Sequence, residues 1–263
     1  MYHTYVVHSP ALAERAPAVQ EQLERVRLPY EWVLDFEPAE IPDSVDREFF
    51  APGSRLTQGQ KSCALKHIVA MQRIVERRQD LAFIVEDDVQ FSSNFELHIY
   101  RIMRELAAWP RPRILHLGSA TNFYTPASEL AEGRHIYRGD RVRNMEFYAL
   151  GWIEARSRLD WIARHRLAEP IDIAFNTADP EMGIPFLWSE PPLAEQGSLN
   201  GTYRSSLTAK KRSLVRQRLQ FAIQRFRRSK LKRWIQLAKS SRNSSGGEAV
   251  CASRRESCNE RPK

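Results

Sequence analysis

A chain of 263 residues with 42% apolar content can bury one sizeable core and carry an appendage. It has no run of about 18 apolar residues to span a membrane and no basic-then-apolar leader, and its three cysteines (Cys63, Cys251, Cys258) are too scattered for a disulfide framework, so a reducing cytoplasm is the expected setting. The net charge of +8 is unevenly held: 14 of the 40 Lys and Arg fall between Gln196 and Gly247, where there is no Asp or Glu, leaving 26 against 32 acidic residues elsewhere, so an acidic body carries a basic arm.

Residues 2–8 predict a strand, and residues 10–27 a helix with Ser9 as N-cap and Pro10 in its first position. Residues 31–34 predict a second strand beside the first, and residues 37–55, with Pro38, Pro42, Pro52 and Gly53, read as loop. A helix is expected over 61–78, a strand over 81–86, a helix over 94–109 closed by Pro110, and a strand over 113–118 ending in Gly118. Residues 119–140 are polar and unpatterned and read as a flexible loop over a cleft; a strand over 147–153 and a helix over 155–167 follow. This alternation over about 170 residues predicts an α/β sandwich with a mainly parallel sheet.

From Thr202 to Ser245 there is neither Gly nor Pro. Val215, Leu219, Ala222, Ile223 and Phe226 share one helical stripe, and Leu231, Trp234, Ile235 and Ala238 continue it after a one-residue drift. The expectation is a C-terminal basic amphipathic helix over 201–239 that meets an anionic membrane surface through residues 204–239, and a disordered tail over 240–263. The alternative is an ordinary helix whose stripe docks on the body. Nucleic-acid binding is disfavoured, because Phe221, Phe226 and Trp234 fit the stripe better than a base-stacking platform.

The most informative stretch is Phe83-Ile84-Val85-Glu86-Asp87-Asp88-Val89. An apolar strand runs into three mutually repelling carboxylates, best tolerated where a cation or solvent relieves the repulsion; the alternative is an acidic strand-to-loop corner exposed to water. The carboxyl end of a strand in an open α/β sheet is also where such folds bind ligands. Upstream, Leu56, Gly59, Cys63 and His67 precede and enter the helix that leads to this strand. Together these residues resemble glycosyltransferase family 25, the lipopolysaccharide-biosynthesis transferases related to collagen galactosyltransferases. That family reads roughly L-x-x-G-E-x-G-C-x-x-S-H, then a helix, then a strand ending E-D-D. Here Gln60 stands for its Glu, Ser62 for its Gly and Lys66 for its Ser. Tyr5-Val6-Val7-His8-Ser9-Pro10 with Glu14-Arg15 is similar to its first strand, His8 replacing Asn. Phe147–Ile153, Pro170-Ile171-Asp172 and Pro191–Gln196 resemble later segments, so the likeness covers about residues 1–200.

The resemblance implies a GT-A-like nucleotide-diphospho-sugar fold and an inverting transfer of a hexose, in many members galactose from UDP-galactose, to a lipopolysaccharide or related glycolipid at the inner face of the cytoplasmic membrane. Such chemistry needs stabilisation of a departing diphosphate and a base for the acceptor hydroxyl. Glu86 and Asp88, alternate residues able to share one strand face, are the expected ligands of Mn²⁺ or Mg²⁺, with Asp87 beside them. Val7 and His8, ending the first strand, are expected to line the nucleotide pocket. Asp172 is the expected base or acceptor contact, with Asp179 and Glu190 as alternatives and a helix N-cap as its structural reading. His67 is a second catalytic candidate, set against an ordinary buried histidine. A degenerate member that binds sugar nucleotide without turnover is the remaining alternative, raised by the Gln60 and His8 departures.

Overall fold

The computed structural model describes residues 2–120, 124–203 and 214–226. In chain order the first elements are β1 (His3–Val7), α1 (Arg15–Arg25), β2 (Tyr30–Val33), α2 (Asp43–Phe49), α3 (Gln58–Glu76) and β3 (Ala82–Glu86). Then come β4 (Val89–Phe91), α4 (Phe95–Ala108), β5 (Ile114–His116), β6 (Ile136–Arg138), β7 (Phe147–Leu150) and α5 (Trp152–His165). The last are α6 (Ile171–Glu181), β8 (Phe186–Ser189), β9 (Ala194–Gln196), the single turn α7 (Gly197–Asn200) and α8 (Leu214–Arg225).

The seven-stranded sheet has the order β2-β1-β3-β7-β5-β8-β6. Strands β1, β2, β3, β5 and β8 run one way, and β7 and the edge strand β6 run against them. The expected mixed α/β architecture with a mostly parallel sheet is present and is compatible with a GT-A-like fold. β4 and β9 form a separate antiparallel ladder.

Successive residues of the central strands enter opposite core layers. Tyr5, Val7, Ile84, Tyr148 and Leu150 pack with α3 and α5, while Val6, Phe83, Val85, Phe147 and Ala149 pack with α1 and α4. Burial on both faces is why these strands read as unbroken apolar runs. Val7 of β1 is level with Glu86 of β3, so the two strands deliver their last residues to one place.

Several expected elements differ. The helix predicted over 10–27 is a 3-10 turn at Pro10–Leu12 followed by α1. Pro17 has no N–H and its ring excludes a preceding helical turn, so the helix restarts with Pro17 inside its first turn. Ser9 does not cap it; its hydroxyl donates to Glu37 at 2.7 Å. The predicted loop 37–55 contains α2, which Pro42 initiates, with Asp43 and Asp46 in the favourable first turn. The predicted loop 119–140 contains β6, a three-residue edge strand too short to show alternation. The segment holding Asp172 is the first turn of α6, with Pro170 at the N-cap and Asp172 inside the helix, so its N-cap reading is corrected. Of the arm, Gly201–Tyr203 and Leu214–Phe226 are described; the expected continuation through Leu231–Ala238 and the tail over 240–263 lie outside the described residues.

Candidate active site

The ends of β1 and β3, the first turns of α3 and the start of α7 enclose a cavity of about 220 Å³. Val7, His8, Glu86, Asp87 and Asp88, all singled out from sequence, line it together with Arg15, Cys63, Lys66, Gln196 and Ser198. α3 reaches the site because a reciprocal capping box starts it at the right place: Gln60 N–H donates to Thr57 Oγ1, and Thr57 N–H donates to Gln60 Oε1. Gln60 therefore acts as a helix cap, and it does not line the cavity. Its replacement of Glu takes a charge from a cap rather than from the site.

The three carboxylates have three different environments. Asp87 accepts from His8 Nδ1 and from Arg15 Nη1, both at 2.8 Å. Burial alone would raise its pKa, but the His8 hydrogen bond and the Arg15 charge outweigh that and hold it below the ordinary carboxylate value. Asp87 thus ties β3 to β1 and α1. Glu86 is engaged at both oxygens: Oε1 lies 3.4 Å from His67 Nε2, and Oε2 accepts from Gln196 Nε2 at 2.9 Å. Burial, then the neighbouring charge of Asp88, pushes its pKa well up.

Asp88 differs from both. Its Oδ2 accepts from the Ser198 N–H at 3.1 Å, and its Oδ1, on a side chain 2% exposed, has no hydrogen-bond partner. Burial raises its pKa. A buried bare carboxylate oxygen on a cavity wall fits a divalent cation. The approach of α7 depends on Gly197, whose N–H donates to the Asp88 carbonyl at 2.7 Å; a Cβ there would stand 2.8 Å from that same oxygen.

His67 sits behind this wall, fully buried, with Nδ1 3.1 Å from the Tyr148 hydroxyl. Burial, reinforced by the Arg158 charge, lowers its pKa to about 3, so the imidazole is neutral at physiological pH. It does not line the cavity itself; Glu86 and Cys63, which do, stand next to it. Asp172 does not line the cavity; it stands near enough that its charge raises the pKa of Cys63 and of Glu86, and burial raises its own. Asp179 is held by Arg158 through bonds of 2.9 and 2.6 Å, and Glu190 accepts from Arg143 Nη2 at 3.2 Å and from the Thr125 N–H at 2.6 Å. Both alternatives to Asp172 are therefore engaged in buried ion pairs.

Sequence reasoning passed over Arg15, Gln196, Ser198 and Glu146 as site residues. Arg15 and Gln196 lay within segments that carried the family likeness, so a signal existed for both. Ser198 acts through its backbone N–H, which no residue type announces. Glu146, 1% exposed, accepts from the Ala120 N–H at 2.6 Å, and burial pushes its pKa to about 7. Its side chain fills the space beside Gly118.

No curated protein gives a significant match to the chain. The family model described as glycosyltransferase family 25 (LPS biosynthesis protein) matches residues 1–138, slightly more than half the chain and the part that supplies β1, α3, β3 and the acidic corner. Gly59, Cys63, Glu86, Asp87 and Asp88 of the motif line one cavity, and on the family match the chain belongs to glycosyltransferase family 25.

Proposed function

We propose that the protein transfers a hexose from a nucleotide-diphosphate donor to a hydroxyl of a lipopolysaccharide or related glycolipid, with inversion, and that the cavity at the ends of β1 and β3 takes the donor. The observation that carries this reading is Asp88 Oδ1, buried, unpartnered and on the wall of a cavity also lined by Arg15 and Lys66. Asp88, with Glu86 beside it, would hold Mn²⁺ or Mg²⁺, which supplies charge neutralisation at the diphosphate. Val7 and His8 would bound the nucleotide. Asp172, with its pKa raised by burial, is suited to accept the proton of the acceptor hydroxyl. His67 is better suited to hold Glu86 than to touch substrate.

No described helix is long and apolar enough to cross a membrane. α8 supports peripheral attachment instead. It docks through Phe221, through Arg218 Nε donating to the Gly201 carbonyl at 2.9 Å, and through Gln217 donating to the Ser198 carbonyl. The stripe faces away: Val215 is 75% exposed, Leu219 61%, Ile223 46% and Phe226 59%. An exposed apolar row amid Arg216, Arg218 and Arg225 suits an anionic lipid surface, which would bring the enzyme to a lipid-borne acceptor at the inner face of the cytoplasmic membrane.

Calorimetry against UDP-, GDP- and CMP-sugars, with and without Mn²⁺, tests the reading. Metal-enhanced binding of one class followed by its hydrolysis or transfer supports it. Binding without turnover on any acceptor would leave a sugar-nucleotide sensor, and no binding of any donor would overturn it.

A further inference from the structure

In the wall of the donor cavity lies a second set of ligand atoms, of different chemical character. Cys63 and His67 are four residues apart on α3 and so share one face of the helix, and Glu86 ends the neighbouring strand β3. The Cys63 Sγ, a His67 ring nitrogen and a Glu86 carboxylate oxygen lie within 4.8 Å of one another, the one grouping of this kind among the described residues. We propose that Cys63, His67 and Glu86 form a three-ligand site for a borderline-soft divalent cation, zinc foremost, which adjoins the oxygen-ligand site at Asp88 and shares Glu86 with it. The inference rests on the chemistry of these three side chains; it does not require sugar transfer, although Glu86 is common to both sites.

Three observations support it. The His67 Nε2–Glu86 Oε1 separation of 3.4 Å is long for a hydrogen bond between a nitrogen and a carboxylate. It is instead close to the edge of a tetrahedron built on zinc–nitrogen and zinc–oxygen bonds of about 2.0–2.1 Å, which is about 3.3 Å. Next, the far nitrogen of His67 is already oriented by Tyr148 Oη at 3.1 Å. A hydroxyl both donates and accepts, so Tyr148 can accept a hydrogen bond from Nδ1–H when Nε2 turns its lone pair to a metal, in the orienting place more often taken by a carboxylate, carbonyl or water. Finally, Cys63 and Glu86 line the cavity while His67 is closed off, so an ion has an entry path from the cavity side. Ligation forms a sulfur–metal bond as the thiol proton leaves to solvent.

Ligand type separates this site from the one at Asp88. Thiolate and imidazole select zinc or cobalt over magnesium and manganese, which prefer the all-oxygen environment of Asp88 and a diphosphate. A zinc ion here would pin the start of α3 to the end of β3 and fix the Glu86 carboxylate at the rear of the donor cavity.

The test uses the full chain carrying Cys251→Ser and Cys258→Ser, so that Cys63 is its one thiol. After chelator treatment and dialysis against Zn²⁺ or Co²⁺, the protein is expected to retain zinc in equimolar amount. With cobalt it is expected to show a thiolate-to-metal charge-transfer absorption and the strong visible bands of tetrahedral cobalt. Cys63→Ser, a near-isosteric change, should abolish the charge-transfer band, and His67→Ala or Glu86→Gln should weaken zinc binding at least about tenfold, the lower end of losses seen when metal-site partners are removed. Absence of the band in the folded parent, or zinc held as tightly by Cys63→Ser as by the parent, would overturn the proposal. Donor calorimetry in Mn²⁺ on the same preparation separates the two ideas. Donor binding without a thiolate band overturns this inference alone, and a thiolate band without donor binding supports it while counting against the transfer reading.

Discussion

The Lys66 ammonium donates to the Ser62 hydroxyl at 2.8 Å, joining one turn apart on α3 two of the positions at which this chain departs from its family's motif. The same ammonium reaches Glu37 Oε1 at 2.8 Å and the Phe36 carbonyl at 3.2 Å, so all three of its protons are used. The Glu37 carboxyl is pushed up by burial but held below its ordinary value by its bonds from Lys66 and Ser9. The departures are thus a coupled pair that anchors the Phe36–Glu37 loop to the helix beside the cavity.

A double-mutant cycle checks that coupling. Ser62→Gly alone should cost about 1 kcal/mol from the lost hydrogen bond plus a smaller helix penalty, and Lys66→Ser alone about 2 kcal/mol, because Glu37 loses its partner while keeping some solvent contact. The double variant should lose less than the sum, by about 0.5 kcal/mol or more, in urea unfolding. Strict additivity would show that the two departures are independent.

Asp179 is expected to be structural. Its bidentate bond to Arg158 is buried, and the Arg158 guanidinium also lies over the Phe175 ring at 3.8 Å. Asp179→Asn should destabilise the fold by about 3 kcal/mol, since it leaves a buried guanidinium uncompensated. Activity per folded molecule should stay within a few-fold of the parent. A stable Asp179→Asn protein with no transfer would move the base from Asp172 to Asp179.

The Glu146 carboxyl gives a pH signature. Its pKa in the folded protein is about 7 against an ordinary 4.5. Below the lower value it is protonated in both states and contributes no pH dependence. Between the two values the unfolded chain ionises first, so the folded state loses stability as pH rises, and above about 7 the penalty is constant. Glu146→Gln removes this loss. Its stability relative to the parent should therefore climb between pH 4.5 and 7, by at most on the order of 3 kcal/mol, when both are unfolded in chelator. A pH-independent difference would contradict the buried, proton-holding environment.

The exposed row on α8 predicts a separation of binding from stability. Leu219→Glu and Ile223→Glu replace side chains that touch solvent, so thermal unfolding should change little, within about 0.5 kcal/mol each. Sedimentation with anionic liposomes should fall strongly, and transfer to a lipid-borne acceptor should fall more than hydrolysis of soluble donor. Unchanged sedimentation of the double variant would remove α8 from the membrane account.

What was legible in the sequence was what a strand or helix displays along its own length. The apolar runs of β1, β3 and β7 announced buried strands, and the three acids after Val85 marked the strand end at which the cavity lies. What stayed hidden depends on elements far apart in the chain. β4 and β9 are three residues each and are stabilised by pairing across more than a hundred residues, so neither carries a pattern of its own. The different roles of Glu86, Asp87 and Asp88 depend on Gln196, on His8 with Arg15, and on Ser198, partners that local spacing does not identify. Pro17 was visible, but its consequence for the start of α1 was overridden by Ser9-Pro10, a plausible helix start that the chain uses for a 3-10 turn instead.

The central claim is that the Asp88 carboxylate holds the cation that meets the diphosphate of a nucleotide sugar in the cavity at the ends of β1 and β3. Calorimetric titration of the preferred donor into the parent and into Asp88→Asn, both in Mn²⁺ and both shown to be folded by circular dichroism, tests it most directly. Asn keeps the size of the side chain and can still accept from the Ser198 N–H, but it carries no charge for a cation. The account predicts that metal-dependent donor binding and turnover nearly vanish in Asp88→Asn. Near-normal binding and turnover by a folded Asp88→Asn protein would contradict it.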